Sequence, residues 1–153
     1  MVLCYNFDMK VLWIDGSASP NPGPGGYAVI EVANEVGKPV VLGREAQTTN
    51  IRMEGSAMIA AIRYAGEEGC EIHTDSEFWI NVLMKWADGW KARGWRKSKG
   101  EIMNLDLVKE LYELYHEYPV KLVWVRGHVG TKFNEMADKW ANKAREGAKV
   151  AEI

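Results

Sequence analysis

The spacing of apolar and polar positions changes several times along the chain, and each change marks an element. Val11-Leu12-Trp13-Ile14 is a continuous apolar run that ends on Asp15, followed by Gly16, Ser17 and a Gly/Pro-rich stretch over 20–26. Such a run reads as a buried strand stopped by a turn. Residues 26–32 predict a second strand, 34–38 a turn and 39–43 the start of a third strand. Connections this short imply an antiparallel meander. Thr48-Thr49-Asn50 offers helix N-cap chemistry. Met53, Ala57, Ala60, Ala61, Tyr64 and Ala65 then recur at helical spacing, ending near Gly66 and Gly69. Residues 70–75 read as a short strand that again ends on an aspartate. Ser76 is placed to cap the helix carrying Trp79, Ile80, Leu83 and Met84. Ile102, Leu105, Val108, Leu111 and Tyr115 mark another amphipathic helix, 120–125 a last strand, and Phe133, Ala137, Trp140 and Ala144 one face of a final helix. The order predicts one α/β domain over 1–153. Its mixed sheet has three antiparallel strands plus parallel ones, flanked by helices, with a short tail at 147–153.

Composition narrows the class. Hydrophobic residues make up 47% of the chain, a globular value that argues against disorder. No apolar run approaches the ~20 residues of a membrane span. Residues 1–8 lack the basic start and small-residue cleavage site of a secretion signal. Cys4 and Cys70 fit neither a disulfide framework nor a zinc cluster, so reduced thiols in a cytoplasmic monomer are expected. The net charge of −2 hides an asymmetry. Six cations and one acid lie between Lys85 and Lys99, a local +5, which leaves −7 for the remainder. A polyanionic partner is therefore compatible with a near-neutral total.

The candidate chemistry lies in four carboxylates. Sites in sheets with parallel strands collect at the carboxyl ends of those strands, where Asp15 and Asp75 both fall. Glu54 lies in the first turns of the helix after the meander. Asp138 lies in the last helix, at i, i+4 spacing from Asn134. Each has a plain alternative. Asp15 can simply bond the turn amides that follow it, and Glu54 and Asp138 can favour their helix N-termini electrostatically. A converging set differs, because clustered anions repel unless protons or a metal neutralise them. Hard oxygen donors suit Mg²⁺ or Mn²⁺, and two such ions ~4 Å apart stabilise both oxygens of an in-line phosphoryl displacement.

At these residues the chain resembles the type 1 ribonucleases H. The matching pieces are Ile14-Asp15-Gly16-Ser17 with Asn21-Pro22-Gly23-Pro24-Gly25-Gly26-Tyr27, then Thr48 through Glu54, Thr74-Asp75-Ser76, the segment from Trp86 to Trp95, and Gly127-His128 through Asn134-Glu135 to Asp138. The resemblance implies a ribonuclease H-like fold and a two-Mg²⁺ site of Asp15, Glu54, Asp75 and Asp138, with Mn²⁺ as a substitute. The implied activity hydrolyses the RNA strand of an RNA–DNA hybrid and leaves a 3′-hydroxyl and a 5′-phosphate. His128 would assist proton transfer and product departure, an assisting role whose loss slows turnover without abolishing it. No nucleophilic side chain is required, so Ser17 and Ser76 read as turn and cap residues.

The basic segment over about 85–100 interleaves Trp86, Trp90 and Trp95 with Lys91, Arg93 and Arg96. Cations hold phosphates while flat rings pack on sugars or bases. Trp86 continues the apolar series of Trp79 and Leu83, which fits a core anchor, and it also stands among the candidate nucleic-acid contacts; Trp90 and Trp95 are the better candidates for exposure to nucleic acid. In the family this segment is the handle that grips the DNA strand, and its presence implies binding without a separate domain. By the same resemblance, Asn21 and Asn50 read the hybrid's minor groove, and Thr49 and Asn104 help hold a DNA phosphate. Ile51 replaces the family's usual amide side chain and Gln47 a frequent cation, which weakens the expected grip on hybrid without touching the acids. Two rival readings share parts of this pattern: a nuclease or integrase of the same fold acting on DNA, and a hybrid-binding module without catalysis.

Overall fold

The computed structural model describes residues 9–126 and 131–150. Its elements are β1 (Lys10–Ala18), β2 (Gly23–Ala33), β3 (Val36–Thr48), α1 (Asn50–Ala65), β4 (Cys70–Thr74), α2 (Glu77–Asn81), a π-helical turn (Val82–Trp86), α3 (Ala87–Ala92), α4 (Leu105–Glu117), β5 (Val120–Trp124) and α5 (Lys132–Arg145). The sheet order is β3-β2-β1-β4-β5. Strands β1, β2 and β3 pair antiparallel, while β4 lies parallel to both β1 and β5. This is the mixed, helix-flanked sheet the sequence predicts.

The strand pattern explains the two layers of packing. Along β1, Leu12 and Ile14 point to one face, where Met58 and Ile62 of α1, Trp79, and Val108 and Leu111 of α4 complete the main core. Trp13 points to the other face, where Ala28, Ile30 and the small residues Ala137 and Ala141 of α5 form a second, thinner core. Alternation with period two sends successive residues to opposite faces, so β1 is buried on both sides and reads as a continuous apolar run.

Several boundaries differ from the sequence reading: β1 runs past Asp15 to Ala18, and the helix expected from Ile102 begins at Leu105. The turn expected over 34–38 has only two residues, Asn34 and Glu35, at φ 52° and 63°. Ala33 pairs directly with Val36 across it. Two left-handed residues match the twist of the flanking strands, which lets a hairpin close this tightly. The Gly/Pro stretch joins β2 from Gly23 onward and pairs with β3 as far as Thr48. Gly26 has a packing reason: a Cβ there would stand 2.3 Å from the Arg145 backbone nitrogen of α5.

Candidate active site

The parallel register of β1 and β4 brings two aspartates to the same level. The last ladder pair is Trp13 with His73, and Asp15 and Asp75 each lie two residues beyond it. Glu54 arrives from α1, whose start is fixed by Thr49: its hydroxyl accepts from the Arg52 N–H at 3.1 Å. How close α1 comes depends on Gly16. A Cβ at that position would stand 2.4 Å from the Met53 carbonyl carbon and 2.6 Å from the Glu54 amide nitrogen. One carboxylate oxygen each from Asp15, Glu54 and Asp75 then lie within 4.8 Å of one another.

Asp138 does not belong to that triad. It is exposed on α5, yet near enough for its charge to act on Asp15. The structure thus gathers three of the four predicted acids and leaves the fourth at the rim. His128 lies outside the described residues.

Charge and burial oppose each other at this point. Asp15 is only 9% exposed. Burial pushes its carboxyl up to about 8, repulsion from Asp75 and more weakly from Asp138 and Glu54 adds to this, and the Gly16 N–H, donating at 2.9 Å, pulls the other way. The turn-amide bond that a solitary aspartate would make is therefore present inside the cluster as well. Burial also raises Glu54, to about 7, against a hydrogen bond from the Ser76 hydroxyl and with further repulsion from Asp75. Ser76 has two tasks: its oxygen also accepts from the Trp79 N–H at 3.3 Å and caps α2. The sequence shows the cap but not the reach to Glu54, because that partner sits on another helix.

Partly to largely buried carboxylates at such spacing fit a hard divalent cation. Oxygen donors are what Mg²⁺ and Mn²⁺ select, and a cation offsets the burial and the added repulsion that hold two of these acids far above their ordinary range.

The candidate nucleic-acid residues fall in two places. Asn21 and Asn50 lace the β1–β2 turn to the start of α1: the Asn50 amide donates to Asn21 Oδ1 at 3.0 Å, and the Ala18 amide donates to Asn50 Oδ1 at 2.7 Å. Beside them, Asn104 sits at φ 58° at the head of α4, its Oδ1 accepting from Arg52 at 3.2 Å. Arg52 also forks onto both carboxylate oxygens of Asp106, at 3.0 and 2.7 Å.

The second place is the basic segment, where the order of exposure reverses the expectation. Trp86 is 40% exposed, whereas Trp90 and Trp95 are half-buried and pack against the main core. The π-helical turn supplies the reason. Its wider winding carries Trp86 off the stripe shared by Trp79 and Leu83 and rotates the following turn inward. Trp95 meets Tyr112 edge to face at 5.5 Å, and its backbone N–H donates to the Trp90 carbonyl at 2.7 Å. Lys85, Lys91, Arg93, Arg96, Lys97 and Lys99 all remain exposed.

Comparison with known proteins agrees with this architecture. A family model for RNase H matches residues 8–146. A ribonuclease H from Methylorubrum extorquens is 40% identical over 139 residues, which are 90% of this chain and 60% of that protein. One from Granulibacter bethesdensis is 41% identical over 88% of this chain and 90% of its own length. The crystal structure of LC9-RNase H1, a type 1 RNase H with the type 2 active-site motif, superposes with a TM-score of 0.70 at 27% identity and covers 91% of this chain and 74% of that one. With the acids gathered at the carboxyl ends of β1 and β4 on this sheet, the chain belongs to the ribonuclease H family.

Proposed function

We propose that this ribonuclease H hydrolyses the RNA strand of RNA–DNA hybrids at the Asp15–Glu54–Asp75 cluster, leaving 5′-phosphate and 3′-hydroxyl ends. The observation that carries the reading is three carboxylate oxygens from separate elements within 4.8 Å, on a sheet of this family. Asp15, Glu54 and Asp75 would hold two divalent ions, Mg²⁺ or Mn²⁺, with Asp138 completing the set from α5. Bound there, the ions supply water activation and charge stabilisation at the leaving oxygen of an in-line displacement.

The chain's own residues hold and orient. Ser76 fixes the rotamer of Glu54 while capping α2. Thr49 sets where α1 begins and so how far Glu54 reaches. Asn21 and Asn50 spend their amide oxygens on lacing the turn. Their amide nitrogens are then the donors for the hybrid's minor groove, where the 2′-hydroxyl distinguishes RNA. Lys91, Arg93 and Arg96 hold phosphates of the DNA strand with Trp86, Trp90 and Trp95 between them, and Thr49 and Asn104 contribute to a phosphate contact. His128 assists proton transfer and product departure. The solution state is a monomer in the cytoplasm.

The test is cleavage of a labelled hybrid with Mg²⁺ beside duplex DNA and duplex RNA, with Asp15→Asn as control. Cutting of the RNA strand alone is expected, with a loss of about a thousandfold or more in Asp15→Asn while hybrid binding persists. Normal cutting by that variant sinks the proposal. Cutting of duplex DNA favours the related DNA nuclease reading instead.

A further inference from the structure

We propose that Trp124 is a specificity-determining contact for the RNA strand, on the side of the carboxylates away from Asn21 and Asn50; the inference rests on the hybrid-cleavage reading above. In the parallel ladder Trp124 is the partner of Thr74, the residue before Asp75, and the Val125 N–H donates to the Thr74 carbonyl at 2.9 Å. The Thr74 hydroxyl in turn accepts from the Ser76 N–H at 3.1 Å. Trp124 is therefore tied to the same backbone corner that presents Asp75 and Ser76.

Its side chain faces the helices. Val120 and Leu122 pack on the main core, and alternation sends Trp124 to that same side, where α2 begins. The core does not enclose it, however. Trp124 is 46% exposed, whereas Thr74 beside it is 1% exposed. Arg126, two residues on, is exposed as well. A large exposed ring at the carboxyl end of a strand, with an exposed cation two residues on, has the chemistry of a nucleotide contact: stacking on a base or ribose, with a phosphate partner.

Sheet order turns this placement into a direction. Along the carboxyl edge one meets the Asn21 turn, then Asp15 on β1, Asp75 on β4 and Trp124 on β5. Neighbouring strands lie about 4.8 Å apart. With about 3.4 Å per nucleotide along a strand, a phosphate at the acids puts Trp124 one or two nucleotides away. The basic segment supplies DNA-strand grip, so this contact falls to the RNA strand. A stacked ring there fixes which phosphate stops over the carboxylates, and changes affinity and cutting register rather than the chemical step.

The experiment compares wild type, Trp124→Ala, Trp124→Leu and Trp124→Phe on end-labelled hybrids, reading KM, kcat, the ladder of cut positions and metal-free hybrid binding. Loss of stacking is expected to raise KM about fivefold to a hundredfold in the Ala and Leu variants, with kcat within about threefold. Their cut positions move, and Phe restores both the affinity and the ladder. The Leu variant keeps a bulky apolar group and so separates stacking from packing. Equal KM, ladder and hybrid affinity in wild type and Trp124→Leu overturn the proposal, as does a kcat loss that Phe does not recover. If wild type binds hybrid but cuts none, the cleavage reading fails instead, and the binding comparison still decides the role of Trp124.

Discussion

Strand β1 has opposite electrostatics at its two ends. At its start, Lys10 lies 3.6 Å from Glu31 and 3.4 Å from Glu68, with Tyr64 below it and hydrogen-bonded to Glu31. Opposite charges meet there at a surface that water still reaches. At its far end Asp15 meets Glu54 and Asp75, like charges in a largely buried site. The first arrangement is what folding alone favours, though weakly, since exposed pairs contribute about 0–1 kcal/mol. The second is one that folding alone disfavours. Strongly perturbed acids in such a place are the signature of a functional site, retained against its cost to stability.

The comparison is sharpest in its pH dependence. Asp15 and Glu54 are held up at about 8 and about 7, so the folded protein binds protons there that the unfolded chain releases near 4. Stability from these groups is complete below the ordinary carboxylate range and is lost as pH rises through about 7 to 8. The metal-free protein is therefore expected to melt roughly 10–20 °C lower at pH 9 than at pH 5. Added Mg²⁺ should reverse the loss, and do so more strongly at pH 8 than at pH 6, because protons compete for the same oxygens. Asp15→Asn should flatten the profile. Calorimetry checks all three, and a melting temperature that climbs steadily over that pH range breaks the contrast.

A smaller effect is expected at the joint between fold and site. Ser76→Ala removes the cap of α2 and the hydrogen bond to Glu54, at a cost of about 1–2 kcal/mol in chemical denaturation. It should also slow cleavage severalfold, because Glu54 loses the group that orients it. A stability loss without any change in rate would make Ser76 a cap alone.

The smallest belongs to the opposite end of β1. Lys10→Ala should shift stability by about 1 kcal/mol or less and leave cleavage rates unchanged. A larger drop would mean that the Lys10 network contributes more than exposed pairs usually do.

Much of this was legible along the chain. Aspartates that end apolar runs, at 15 and 75, flagged the level at which β1 and β4 present their acids, although β1 itself runs on to Ala18, and parallel pairing did the rest. Thr49 and Ser76 announced their caps for the same local reason. Features that depend on distant partners were not legible. The π-helical turn at Val82–Trp86 leaves no periodic trace in so short a stretch, so Trp86 reads as a continuation of the apolar series although it is exposed. Strand β3 lies at the sheet edge with many positions exposed, which dilutes its alternation and hid its extension to Thr48. The reach of Arg52 to Asp106 spans helices far apart in sequence. How near Asp138 comes to the other acids is not legible either, because helical spacing fixes a face but not a distance to β1.

Gly16 reverses the usual logic of mutational surveys. Trimming residues to alanine asks what each side chain contributes, and at Gly16 the same substitution adds an atom where the Met53 carbonyl already stands. What this position contributes is clearance. Glu54 belongs to one helix and Asp15 to one strand, and the gap between those bodies is set by a hydrogen atom. An inventory of reactive groups would pass over it, yet the distances from Glu54 to both aspartates are downstream of that absence.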